Sequence, residues 1–169
     1  MTQPNLERAK NEALKLLNDF DCKEPPVNPI KMARTLGIKV CSGTFSDKCS
    51  DVSGYFDSKK NMIVINKEEY FPRKMFAIAH EIGHYVLHNE WLLSQKHEIL
   101  YRKQLGHGKD NNEKEANKFA AHLMAPKFML DEYYEKIYKG YASTSLIAEI
   151  FAVSALMMKI RLKEEYGYK

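Results

Sequence analysis

Between Arg73 and His88 the chain carries Met75, Phe76, Ala77, Ile78, Ala79, Ile82, Val86 and Leu87 on every side of a helical wheel, with His80, Glu81 and His84 set among them. A helix that is apolar all round is a buried one, so the rest of the fold has to enclose it. Two histidines and a glutamate inside such a helix are costly unless they are paired or ligated. Residues at i and i+4 share a face one turn apart, so the imidazoles of His80 and His84 can reach a single ion. Glu81 in His80-Glu81-Ile82-Gly83-His84 is then the expected general base, its carboxylate directed at the reacting water instead of the metal.

Zinc is the expected ion; at a catalytic site it takes three protein ligands and leaves one position for water. His88 continues the spacing, but eight residues from His80 is about 12 Å along the axis, too far to share the ion. The predicted third ligand is Glu113, on a second helix expected over Glu113 to Met124 and stopped by Pro126. Asn117, one turn on from Glu113, is expected to hydrogen-bond a ligating histidine and fix its orientation. Glu115, the alternative third ligand, projects about 200° away from Glu113, so that only one of the two faces the metal, and it is better read as solvated beside Lys118.

The remainder reads as α+β. Helices are expected over Leu6 to Phe20 and Pro29 to Leu36, the second stopped by Gly37. Strands are expected at Ile38 to Phe45, Gly54 to Phe56 and Met62 to Ile65, the last two joined by the polar turn Asp57 to Asn61. The predicted architecture is zincin-like: a small antiparallel sheet packed on the His-Glu-His helix and on the second ligand helix. Met62 to Ile65 is either an edge strand able to pair with an extended substrate or an interior strand. Trp91 to Leu105 is ambiguous, and Gly106 to Asn112 reads as a polar loop. The expected division is a metal-binding domain over 1–140 and a helical, helix-turn-helix-like segment over 141–169.

No apolar run approaches the roughly 18 residues a membrane span needs, and the first twenty residues alternate charged and apolar side chains too densely for a signal peptide. Cys22, Cys41 and Cys49 are odd in number and form no paired motif, so reduced thiols and a cytoplasmic location are expected. In the last 29 residues four cations (Lys159, Arg161, Lys163, Lys169) face three acids (Glu149, Glu164, Glu165). That balance is too thin for phosphate neutralisation, so direct DNA binding is not expected. His97, His107 and His122 read as surface or core residues.

The stretches Phe76-Ala77-Ile78-Ala79-His80-Glu81-Ile82-Gly83-His84-Tyr85 and Glu113-Lys114-Glu115-Ala116-Asn117-Lys118-Phe119-Ala120-Ala121-His122-Leu123-Met124-Ala125-Pro126 resemble the ImmA/IrrE family of metallopeptidases. The second is similar to the family's E-x-x-A-N-x-F-A…L-x-x-P pattern and is the more specific of the two. Weaker similarity runs upstream through Pro26 to Ile38 and downstream to the helical end. His122 departs from it, standing where an acidic or polar residue is more usual. The resemblance implies ligands at His80, His84 and Glu113, a catalytic glutamate at Glu81, and zinc as cofactor. It also implies a protein substrate, a DNA-bound repressor controlling mobile elements, phage or stress genes. The alternative is a non-hydrolytic zinc-containing regulator that binds a repressor or DNA, in which Lys159 and Arg161 would carry the contact.

Overall fold

The computed structural model describes residues 3–45, 52–88 and 111–168. Seven helices and one three-stranded sheet occupy them. Helix α1 (Leu6–Asp19) starts where the Asn5 side chain accepts from the Arg8 N–H, and it buries Ala9, Ala13, Leu16 and Leu17. Helix α2 (Pro29–Thr35) starts in the same way, with Asn28 accepting from Lys31 and Pro29 in the first turn, where its missing N–H costs nothing. It ends just before Gly37, whose φ of +79° is a left-handed conformation that favours glycine.

The sheet consists of β1 (Lys39–Gly43), β2 (Gly54–Asp57) and β3 (Met62–Asn66) in the order β1-β3-β2. It is mixed and not antiparallel as expected. β2 and β3 are antiparallel, pairing Gly54 with Ile65 and Asp57 with Met62, whereas β1 and β3 are parallel, pairing Lys39 with Met62. The reason lies in two local facts. The turn after β2, where Asp57 Oδ1 accepts from the Lys59 and Lys60 N–H groups, closes a tight hairpin. β3 buries Ile63, Val64 and Ile65 in succession, so it is covered on both faces and takes the centre. The long connection through residues 44–61 lets β1 join on the far side in the parallel sense. β3 is thus the interior strand, and the edge-strand alternative does not hold.

Helix α3 (Phe71–Leu87) lies against β2 and β3, and no residue from Met75 to His88 is exposed. Helix α4 (Asn111–Met124) packs between α1 and α3. It begins at Asn111, taking in two residues expected in the loop before it. The reading of Trp91 to Leu105, the rest of that loop, His97, His107 and Cys49 fall outside the described residues. After Pro126 come α5 (Lys127–Tyr138), α6 (Thr144–Ile150) and α7 (Ala155–Tyr166). Gly140, at φ +76°, stands between α5 and α6. A four-residue turn, Phe151 to Ser154, joins α6 to α7, and Ser154 caps the latter by accepting from Met157. No helix among the described residues is long and apolar enough to cross a membrane.

Candidate metal centre

Helices α3 and α4 run antiparallel at their contact, Phe76 facing the Ala121 end and His84 the Glu113 end. They come close because position 83 has no side chain. A Cβ there would lie 3.0 Å from Phe119 Cδ1, 3.2 Å from the Ala116 carbonyl oxygen and 3.3 Å from Ala116 Cα. This near-contact of backbones sets the ligand faces of the two helices opposite one another.

Three donor groups meet across the contact. His80 Nε2 and His84 Nε2 are 3.0 Å apart. The Glu113 carboxylate lies 3.3 Å from His80 Nε2 and 3.1 Å from His84 Nε2. His84 is fully buried, while His80 and Glu113 are partly open. Two imidazoles and one carboxylate converging in this way form a group able to hold a metal ion. Asn117 is exposed, and its Oδ1 lies 3.0 Å from His80 Nδ1, the ring nitrogen turned away from the cluster. Glu81 is buried at 2% exposure beside His80 on α3.

Glu115 is not solvated. It is buried, with Oε2 2.9 Å from His88 Nε2 and Oε1 accepting from the Asn5 N–H at 2.7 Å. The expectation failed because it treated the side of α4 turned away from the metal as surface; α1 covers that side.

The sequence profile of the IrrE N-terminal-like domain, Peptidase M78, matches residues 33–163. The chain belongs to this family. The family is one of metallopeptidases and implies a metal, for which the His80, His84 and Glu113 group supplies the donors. No curated protein matches the chain. Among solved structures, a Mycobacterium tuberculosis transcriptional regulator is similar at a TM-score of 0.64 and 14% identity, over 93% of this chain and 46% of that one. At that identity the likeness is one of fold. The chain spans less than half the length of that protein.

A groove of about 360 Å³ extends the same face of this IrrE-like domain toward the start of α3. Phe76 of α3, Asn117 and Ala121 of α4, and Leu156, Met157 and Ile160 of α7 line it. Leu156 and Ile160 are exposed large apolar residues.

A second cluster of His122, Glu164 and Glu165 has metal-like spacing, but a guanidinium already occupies it. Arg161 is fully buried, donates from Nε to the Ala125 carbonyl at 3.0 Å, and reaches Glu164 at 2.5 Å and Glu165 at 2.7 Å. Its terminal nitrogens lie 3.1 and 3.3 Å from the His122 ring nitrogens. Burial first, then the Arg161, Lys118 and Lys10 charges, push the His122 pKa down to about 3, so the ring is neutral and accepts. Arg161 therefore joins α7 to the end of α4.

Proposed function

We propose that the chain is a zinc-dependent endopeptidase that hydrolyses a peptide bond in a specific protein partner, a transcriptional repressor of a mobile element, phage or stress genes. The observation carrying this reading is the triangle of donors, with edges of 3.0, 3.1 and 3.3 Å. Tetrahedral ligands at about 2.05 Å from zinc stand about 3.3 Å apart, so the spacing suits that ion. When bound there, zinc supplies a Lewis acid for the scissile carbonyl and a water acidified to react near neutral pH.

The chain's own residues supply the rest. Glu81 takes a proton from the attacking water and returns it to the leaving amine nitrogen as the carbon–nitrogen bond breaks, giving a carboxylate and a free amine. Asn117 holds His80 through its outer nitrogen and fixes which nitrogen faces the ion. The groove beyond Asn117 accepts apolar side chains of the substrate next to the scissile bond, since polypeptide leaving the site along the α3–α4 face runs into it. The Mycobacterium tuberculosis neighbour is a transcriptional regulator, which accords with a role in transcription for this fold.

Glu81→Gln tests the reading. The variant should keep one zinc per chain and lose cleavage by about 10²- to 10⁴-fold. Unchanged turnover would sink the assignment. Regulation in the cell that survives Glu81→Gln would instead identify a non-hydrolytic regulator.

A further inference from the structure

The geometry points to His88 and Glu115 as positioning residues for His84, in a buried hydrogen-bonded chain that makes the amino-terminal helix part of the metal centre. This inference rests on the metal reading above. His84 turns Nε2 toward Glu113 and His80, and its other ring nitrogen, Nδ1, lies 3.3 Å from His88 Nδ1. The opposite nitrogen of His88, Nε2, lies 2.9 Å from Glu115 Oε2. Glu115 Oε1 accepts from the Asn5 backbone N–H, directly before α1.

The protons on this chain have one consistent arrangement. A ligating His84 keeps the lone pair of Nε2 for the ion, so its proton sits on Nδ1 and is donated to His88 Nδ1. His88 then carries its proton on Nε2 and donates it to the Glu115 carboxylate. Each oxygen of that carboxylate accepts one hydrogen bond, from His88 and from Asn5. A carboxylate acting through an imidazole on a metal-binding histidine fixes the tautomer and ring orientation and raises ligand basicity. Here a second imidazole is inserted between the two, which extends the support by one helical turn.

The anchoring of this chain is as deliberate as its order. His84, His88 and Glu115 are all buried. Arg8 donates to the Leu87 carbonyl at 3.1 Å, a second link from α1 to the end of α3. α1 precedes the part of the chain that the family profile covers, yet it holds the outer end of the support for a ligand.

The test is zinc affinity, measured by competition with a chromophoric chelator, on the full chain as wild type, His88→Leu, His88→Gln and Glu115→Gln. Folding is checked by circular dichroism and by melting of the metal-free forms. His88→Leu should weaken zinc binding about 10- to 100-fold and alter the visible spectrum of the cobalt-substituted protein. His88→Gln should recover most of the affinity, because a carboxamide can accept from His84 and donate to Glu115 at once. Glu115→Gln should fall between them, having one acceptor oxygen where two donors need one each.

A folded His88→Leu with wild-type affinity and an unchanged cobalt spectrum would overturn the inference. If His88→Leu does not fold, a wild-type affinity in Glu115→Gln overturns it instead. A His88 that only packs would lower metal-free melting and leave zinc affinity where it was. A wild type that takes up no zinc overturns this inference and the proposed function together. Tight zinc binding without peptide cleavage rejects the peptidase alone.

Discussion

The carbonyl oxygen of Ala116 would stand 3.2 Å from a Cβ on Gly83, so the two ligand helices meet at the one residue without a side chain in His80-Glu81-Ile82-Gly83-His84. The helix would otherwise prefer alanine there by about 1 kcal/mol. The atoms in the way include backbone, which cannot swing aside. Gly83→Ala is therefore expected to destabilise the protein by about 1–3 kcal/mol despite that preference, and to weaken zinc binding by moving Glu113 away from the histidines. Urea unfolding and a zinc titration check both effects. A variant more stable than wild type with full affinity would show that the helices have room to spare.

Glu113 and Glu115 separate by role although they stand two residues apart. Glu113→Ala removes a donor of the triangle and should leave the chain without zinc after dialysis, whereas Glu115→Gln should retain about one zinc per chain. Inductively coupled plasma mass spectrometry on both variants reads this directly. The reverse pattern would exchange the two assignments.

Asn117 gives a graded case. It touches only the outer nitrogen of His80 and is exposed, so Asn117→Ala should fold normally and lower zinc affinity about 10-fold, at the weak end for such outer contacts. Equal affinity in variant and wild type would make Asn117 a residue of the groove and not of the metal centre.

Local order was readable in the sequence where local chemistry decides it. Asn28-Pro29 and Gly37 bracket α2, Asp57 to Asn61 turns the hairpin, and the spacing of His80 and His84 places both on one face of α3. Sheet order was not, because nothing in β1 states that its partner is β3 and not β2; that pairing is settled by which strand is buried on both faces. Glu115 and His88 were missed for a related reason. Axial distance from His80 excludes His88 only as a ligand, while its place one turn after His84 makes it a hydrogen-bonding neighbour. Gly83 offered a signal too, since an isolated glycine within a strongly apolar helix marks close packing.

Arg161 is fully buried and donates to the Ala125 carbonyl, to Glu164, to Glu165 and to one ring nitrogen of the neutral His122. Removing the guanidinium leaves the buried His122 and the largely buried Glu165 without that partner. Arg161→Met should cost about 3–5 kcal/mol in urea unfolding, and its zinc stoichiometry in the folded state should stay at one. A loss below about 1 kcal/mol would mean that Glu164 and Glu165 relax into solvent without cost.

His122 gives the network a pH dependence whose sign follows from its depressed pKa. In the folded protein the ring titrates at about 3, held down by burial and then by the Arg161, Lys118 and Lys10 charges, which outweigh the Glu164 and Glu165 carboxylates 3.7 and 4.0 Å from its nitrogens. In the unfolded chain it titrates near 6.5. Above pH 6.5 both states leave it neutral and it contributes no pH dependence. Below that, the unfolded state binds a proton that the folded state refuses, so stability falls as the pH drops from about 6.5 toward 3. His122→Gln keeps an acceptor for Arg161 and has no proton to take up. Both forms are compared without metal, so that the difference in their unfolding free energies reads this ring. It should shift in favour of the variant between pH 7 and pH 4.5. A difference that stays constant over that range would mean that His122 accepts its proton in place, with the Arg161 guanidinium displaced toward Glu164 and Glu165.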